Sequence, residues 1–111
     1  AKVLIMGFTF KGDCPDVRNT KVIDIVNELQ DFNMSVDVYD CWASKEEVNH
    51  EYGIELIDEL RDGYYDAIVL AVDHSQTKQM GVEKLRRLGK KEHVLYDVKH
   101  VLTADEADIR L

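Results

Sequence analysis

Two cations stand in one long polar segment, Gly7-Phe8-Thr9-Phe10-Lys11-Gly12-Asp13-Cys14-Pro15-Asp16-Val17-Arg18-Asn19-Thr20, which separates an apolar run ending at Met6 from one starting at Val22. Loops of that length are uncommon between a strand and a helix unless they bind something. Lys11 and Arg18 can each hold phosphate oxygens, the ammonium as a point charge and the guanidinium as a planar fork, so together they could grip two phosphate groups. They could equally be surface charges paired with Asp13 or Asp16, and spacing alone favours that plainer reading. Gly7 and Gly12 have the separation of a P-loop, but Asp13 and Cys14 stand where that motif needs Lys and Ser or Thr. No Gly-x-Gly-x-x-Gly run is present, so a complete dinucleotide site on this chain is not expected.

The other reactive side chains point to structure rather than catalysis. Cys14 has no histidine or second cysteine beside it to activate or resolve it, and reads as loop packing. Cys41 and Trp42 could border a pocket, although a tryptophan at a strand end is more often a partly buried anchor. His74 could bond a ligand or cap the following helix; capping is favoured, because Asp73 and Ser75 beside it are natural cap residues. His50, His93 and His100 lack metal-ligand spacing, so no metal and no catalytic residue is expected. The acidic residues Glu46, Glu47, Asp58, Glu59 and Asp62 read as a solvated helical face, and Tyr64 with Tyr65 as packing at the start of a strand.

The elements that must position the loop can be read from apolar periodicity. Val3 to Met6, Val36 to Tyr39, Ala67 to Val72 and Val94 to Tyr96 are nearly continuous apolar runs, the pattern of strands buried on both faces in a parallel sheet. Val22, Ile23, Val26 and Leu29 recur at helical spacing behind Asn19 or Thr20 as N-cap. Ser44 with Glu47 forms a capping box for a second helix, reaching about Tyr52. Ile54 to Leu56 reads as a short strand or as the lead into a turn of helix through Leu60. Gln76 to Leu88 reads as a helix ended by Gly89, and Thr103 with Glu106 as a further capping box in the tail. Alternating strand and helix predicts a single α/β domain: a Rossmann-like open parallel sheet with helices on both faces. Ligands of such sheets sit at the carboxyl ends of the strands, here Gly7 to Arg18, Asp40 to Trp42, Asp73 to Ser75 and Asp97 to His100.

Composition narrows the function classes. The 111 residues are 45% hydrophobic and 32% charged, as in a folded domain of ordinary size. The formal net charge of -8 argues against nucleic acid, because backbone phosphates demand a basic surface. No apolar stretch is long enough for a membrane helix, and Val3 to Phe10 is cut by Lys11 without a cleavage site after it. Two cysteines make no disulfide framework, which predicts a reducing compartment, most simply the cytoplasm. A strand-like run starting directly after Ala1 predicts a fragment of a longer chain.

The run Gly-Phe-Thr-Phe-Lys-Gly-Asp-Cys-Pro-Asp-Val-Arg-Asn-Thr-Lys-Val at positions 7 to 22 closely resembles the opening of the C-terminal UDP-binding domain of the UDP-glucose/GDP-mannose dehydrogenase family. The likeness continues through Val36-Asp37-Val38-Tyr39-Asp40, through Ala67-Ile68-Val69-Leu70-Ala71-Val72 before His74, and through Tyr96-Asp97-Val98-Lys99 before Val101-Leu102. It therefore covers nearly the whole chain in order. The resemblance implies a C-terminal domain over residues 1–111, working beside a missing N-terminal NAD-binding domain and a missing central dimerisation region in a homo-oligomeric parent. It implies an NAD-dependent oxidation of the sugar C6 alcohol to a carboxylate by two hydride transfers, through a thioester on a cysteine of the preceding part. Alone, the fragment is expected to be inactive.

By motif, the resemblance places Phe10 and Lys11 against the UDP-sugar, Lys99 near the same nucleotide, and Arg18 at the NAD pyrophosphate from across the cleft. Phe-Thr-Phe-Lys, Cys-Pro-Asp and Arg-Asn-Thr-Lys look most like the branch acting on UDP-N-acetylhexosamines for surface polysaccharides, rather than on UDP-glucose. The chain departs from the family pattern at Cys41, where proline is usual, at Ser75-Gln76, where Lys-Glu is common, and at His100, where glycine is common. Rival readings are a stand-alone non-catalytic nucleotide-binding module and a receiver-like signalling domain, in which Asp13, Asp40 or Asp73 would form an acidic pocket with Lys99. A receiver needs adjacent acids directly after its first strand, where Gly7 and Phe8 stand instead.

Overall fold

The computed structural model describes residues 1–18, 20–103 and 105–110. The elements are β1 (Lys2–Met6), α1 (Val22–Asp31), β2 (Ser35–Tyr39), α2 (Lys45–Tyr52), β3 (Tyr65–Leu70), α3 (Ser75–Arg87), β4 (Gly89–Asp97) and β5 (Ile109–Arg110). They form one sheet in the order β2-β1-β3-β4-β5, with every neighbouring pair parallel. The reversal of strand order beside β1 makes this the open, doubly wound α/β architecture read from the apolar runs.

Strand alternation divides the core into two layers. Val3, Ile5 and Val38 pack with Val22 and Val26 of α1 and with Val48 of α2, while Leu4, Met6, Ile68, Leu70 and Leu95 pack with Leu85 of α3. Burying one such aliphatic side chain stabilises the fold by roughly 1.5–3 kcal/mol, so both helical layers bind strongly to the sheet between them. The connection after α2 wraps the β2 edge. Leu56 bridges to Val38 and belongs to the first layer, and Ile57 and Leu60 then pack in the second. On the α1 side, an apolar cleft of about 360 Å³ opens between Ile25, Leu29, Val69, Tyr96 and Val98. Tyr65, fully buried at the start of β3, donates its hydroxyl to Asp37 Oδ2 at 2.7 Å.

Local chemistry explains most boundaries. Ser44 Oγ accepts the Glu47 amide at 3.3 Å to open α2, and Gly53, at φ 69°, closes it. At α1 the cap position falls on Lys21, but Thr20 Oγ1 still accepts the Val22 amide at 3.2 Å; Asn19 lies outside the described residues. The third helix differs from the sequence reading. It begins at Ser75 and is interrupted at Gly81, whose φ of 77° is accessible to glycine. Its end is not a glycine cap, because the Gly63 amide binds the Arg87 carbonyl at 2.9 Å and the Tyr64 amide binds Leu88 at 3.0 Å. Gly89 is thereby released to begin β4.

That strand is longer than its apolar centre. Lys90, Lys91 and Glu92 are exposed in an irregularity of the β3–β4 register, with Lys90 paired to Asp66 at 3.1 Å. In the tail, Glu106 Oε1 accepts the Thr103 amide at 3.1 Å, half of a capping box, yet the chain turns there and continues into β5. Arg86 holds that return by a fork onto Asp108, at 3.1 Å to each oxygen.

Gly7 marks where the sheet meets the long loop. Its φ is 101°, and a Cβ there would lie 2.5 Å from Val72 Cβ. Gly7→Ala is therefore expected to lose about 1–3 kcal/mol from backbone strain alone, with overpacking added. A urea-unfolding midpoint equal to that of the parent chain would contradict this placement.

Candidate functional site

Asp40, the first residue after β2, organises the carboxyl edge. Its side chain has no exposed surface, yet each oxygen meets N–H donors. Oδ2 accepts the amides of Phe8 at 2.6 Å and Thr9 at 3.2 Å, and His74 Nε2 lies at 2.9 Å. Oδ1 accepts the amides of Trp42 at 2.7 Å and Ala43 at 2.9 Å. Burial pushes this carboxyl up, but the bonds from His74, Phe8, Ala43 and Trp42 outweigh it and hold the group below the ordinary carboxylate range. One acid thus ties the start of the β1–α1 loop to the β2–α2 turn.

The same loop is fastened to the β3–α3 junction. Gly7 packs on Val72, and a Cβ at Gly12 would collide with Asp73. The Asp13 amide donates to His74 Nδ1 at 2.9 Å, and the Asp13 carboxylate takes the Ser75 amide at 2.7 Å as well as the Ser75 hydroxyl. Asp13 therefore caps α3 from a distant loop, and these bonds from Ser75 lower its carboxyl. His74 occupies the cap position without capping, since its imidazole is buried and turned toward Asp40, Thr9 and Asp13. The capping role read for His74 from sequence belongs to Asp13, because the neighbouring side chain is already engaged in the core.

Inside the loop, Thr9 Oγ1 donates to the Lys11 carbonyl at 2.9 Å and the Phe10 amide to the Asp16 carbonyl at 2.7 Å. Val17 is fully buried, its carbonyl taken by Tyr52 Oη at 2.5 Å. With both flanks pinned, the tip turns outward. Phe10 is 53% exposed and Lys11 is exposed.

Arg18, its side chain 80% exposed, forks onto Asp16 with Nε at 3.0 Å and Nη2 at 3.2 Å, which is the plainer pairing considered from spacing. Lys99 is exposed in the loop after β4, which is shaped by the buried Asp97 accepting the amides of Val101 at 2.9 Å and Leu102 at 2.8 Å. His100 there has φ 56°, the left-handed region that glycine adopts with less strain.

Lys11 and Arg18 share one loop at the carboxyl edge, and Lys99 lies on a loop two strands away, roughly 10 Å across the sheet. Among the described residues, neither Lys11 nor Lys99 makes an ion pair, whereas the carboxylates of Asp13, Asp16, Asp40 and Asp97 all accept internal donors. An edge rich in acids thus presents lysines outward, while Asp40 and Asp97 are buried and Asp13 and Asp16 are bonded to neighbouring residues of the chain. A receiver-like acidic pocket is not favoured, since Asp40 and Asp97 are buried among amides. Trp42 sits at the rim, 37% exposed, its indole N–H on Gln76 Oε1 at 3.0 Å. Among the described residues no group of three metal-binding side chains forms, and no helix is long and apolar enough to cross a membrane.

The framing residues Asp40 and Asp13 were missed as such by sequence reasoning. The available signal was an acid directly after a buried strand and another beside the loop's second glycine. Because the carboxyls of Asp13, Asp16 and Asp40 sit below their ordinary values, the unfolded chain takes up these protons first. Their stabilisation is complete above the unfolded pKa of about 3.9 and is lost as pH falls through the lower folded values. The urea midpoint is expected to drop steeply below about pH 4. Asp40→Asn, which keeps shape without charge, should start lower at neutral pH and fall less steeply. An identical acid slope in this variant would remove Asp40 from the account.

Comparison with known proteins accords with this edge. The model of the UDP-glucose/GDP-mannose dehydrogenase family, UDP binding domain, matches residues 4–104. The chain is 57% identical over 111 residues to the UDP-N-acetyl-D-glucosamine 6-dehydrogenase of Pseudomonas aeruginosa and 53% identical to that of Salmonella typhi, covering 100% of this chain and 26% of each relative. Among solved structures, a UDP-D-ManNAc dehydrogenase from Pyrococcus horikoshii superimposes with TM-score 0.73 at 22% identity, over 94% of this chain and 23% of that one, a likeness of fold. The chain spans about a quarter of the length of the curated relatives it matches. With the matched residues running from β1 past the loop that carries Lys99, the chain belongs to the UDP-glucose/GDP-mannose dehydrogenase family, as its UDP-binding domain.

Proposed function

We propose that this chain is the C-terminal substrate-binding domain of an NAD-dependent UDP-sugar 6-dehydrogenase, acting in surface polysaccharide synthesis in the cytoplasm. The observation that carries the reading is the pinned β1–α1 loop, which turns Phe10 and Lys11 outward at the strand tips in a chain so similar to two UDP-N-acetyl-D-glucosamine 6-dehydrogenases. That similarity favours a UDP-N-acetylhexosamine over UDP-glucose.

In this reading the Lys11 ammonium meets a phosphate or sugar oxygen of the substrate, the Phe10 ring covers an apolar face of it, and Lys99 adds a second positive charge from the β4 side. Arg18 faces the cofactor. Its exposed guanidinium could exchange Asp16 for a pyrophosphate oxygen at little cost, since exposed pairs bind weakly. These residues fit a single contact to NAD and no more, because the chain lacks the glycine-rich turn that would cradle a dinucleotide. NAD supplies the hydride acceptor when bound, and its main site would lie in the missing N-terminal domain. The central region would join two subunits of a homo-oligomer.

An open edge forming one wall of a pocket implies weak binding by the domain alone, because affinity follows the contact that is enclosed. UDP added to the 111-residue chain is expected to shift amide signals around Phe10, Lys11 and Lys99, with Kd in the roughly millimolar to high micromolar range. Lys11→Ala should weaken this by about tenfold, the loss of one charge-assisted bond. No NADH should form with any UDP-sugar. Shifts absent from those loops, or turnover by the isolated chain, would defeat the assignment.

A further inference from the structure

We propose that His74 is a positioning residue, which holds the substrate-facing segment Thr9–Asp13 at both ends through one tautomer of its imidazole; its bearing on UDP-sugar affinity rests on the reading above. The ring is 1% exposed and is bonded on both nitrogens. One hydrogen in this network has no freedom. The Asp13 backbone N–H can only donate, so Nδ1 at 2.9 Å must accept and carries no proton. The proton of the neutral ring is therefore on Nε2, which faces Asp40 Oδ2 at 2.9 Å and Thr9 Oγ1 at 3.2 Å.

The remaining directions follow. The Thr9 hydroxyl gives its hydrogen to the Lys11 carbonyl at 2.9 Å, leaving an oxygen lone pair toward Nε2–H. Asp40 Oδ2 holds the Phe8 and Thr9 amides. The near end of the segment thus rests on the donor side of the imidazole and the far end, at Asp13, on its acceptor side. Phe10 and Lys11 lie between, both exposed and aimed out of the fold. Asp13 also caps α3 through Ser75, so the far anchor stays in place only while the loop and helix remain docked.

A donor and an acceptor on opposite sides of one short rigid ring are a property of histidine. Asparagine can offer an acceptor near the Nδ1 position and glutamine a donor near the Nε2 position, but each restores only one anchor. His74 touches neither the proposed ligand nor a reacting atom in this account. It acts through the backbone that carries Phe10 and Lys11.

The test uses the 111-residue chain, with inorganic phosphate as the control for simple charge attraction and UDP as the probe. Long-range nitrogen–proton NMR on labelled His74 should show the Nε2–H tautomer at neutral pH; a proton on Nδ1 would overturn the proposal. Amide exchange should rise at Thr9 and Phe10 in His74→Asn, which keeps only the Asp13 anchor, and at Asp13 in His74→Gln, which keeps only the Thr9 anchor, while β1 and β3 stay protected; UDP affinity should fall by about tenfold in each. Unchanged exchange at those amides in folded variants would overturn it. If neither variant folds, Thr9→Val, which removes the hydroxyl's bonds to the Lys11 carbonyl and to His74 Nε2, serves instead. It should free the Lys11 region and weaken UDP, and parent-like exchange and affinity would refute the idea. If the loop loosens in the variants but UDP and phosphate leave even the parent chain unshifted, the positioning role is supported and the nucleotide reading fails.

Discussion

A carboxylate with no exposed side-chain surface must have its charge met by donors within the fold, because isolated burial of an ion is far costlier than any single bond it makes. Asp40 meets that demand with backbone amides from two loops and an imidazole from a third segment. The carboxyl edge therefore cannot be treated as a set of independent loops. Moving the β1–α1 loop would leave Asp40 short of donors, and moving His74 would take one donor from Asp40 and the acceptor from the Asp13 amide. The shape of the edge is a consequence of satisfying one buried charge.

This arrangement divides labour among residues of similar chemistry. Asp13, Asp40 and Asp97 all sit at the tips of a sheet in a chain of net charge -8, a setting that would repel a nucleotide diphosphate. Their carboxylates instead accept amide hydrogens within the fold, while Lys11 and Lys99 extend outward. The local field at the edge is set by which charges find partners inside the fold. Formal net charge describes the whole surface and says little about this one side.

The glycines and left-handed residues belong to the same construction. Gly7 and Gly12 have their neighbours pressed against the place where a side chain would stand, which lets the loop lie on the β3–α3 junction. Asp13 and His100 take positive φ angles that glycine would adopt with less strain, and each stands where a loop changes direction at the edge. Strain of this kind persists where surrounding bonds over-determine the backbone, as they do around Asp13. In the proposed reading the open edge is one wall of a site.

Residue type disclosed the cap at Ser44, and periodicity disclosed four of the strands, the parallel sheet and the edge on which ligands of such sheets bind, since apolar spacing reflects burial directly. It also disclosed the loop from Gly7 to Thr20 and the cations in it. The break at Gly81, the full length of β4 and the two-residue β5 escaped it. The two strands depend on bonds between distant segments: the Leu88 carbonyl meeting Tyr64, and Arg86 meeting Asp108. The same limit hid Asp40, His74 and Asp13 as a unit, because they lie 27 to 61 positions apart and nothing local marks their convergence. Residue types determined what could be buried and what could carry charge. Only the packed fold decided which acid would be matched internally and which lysine would face outward, because the partners come together only when the strands are in register.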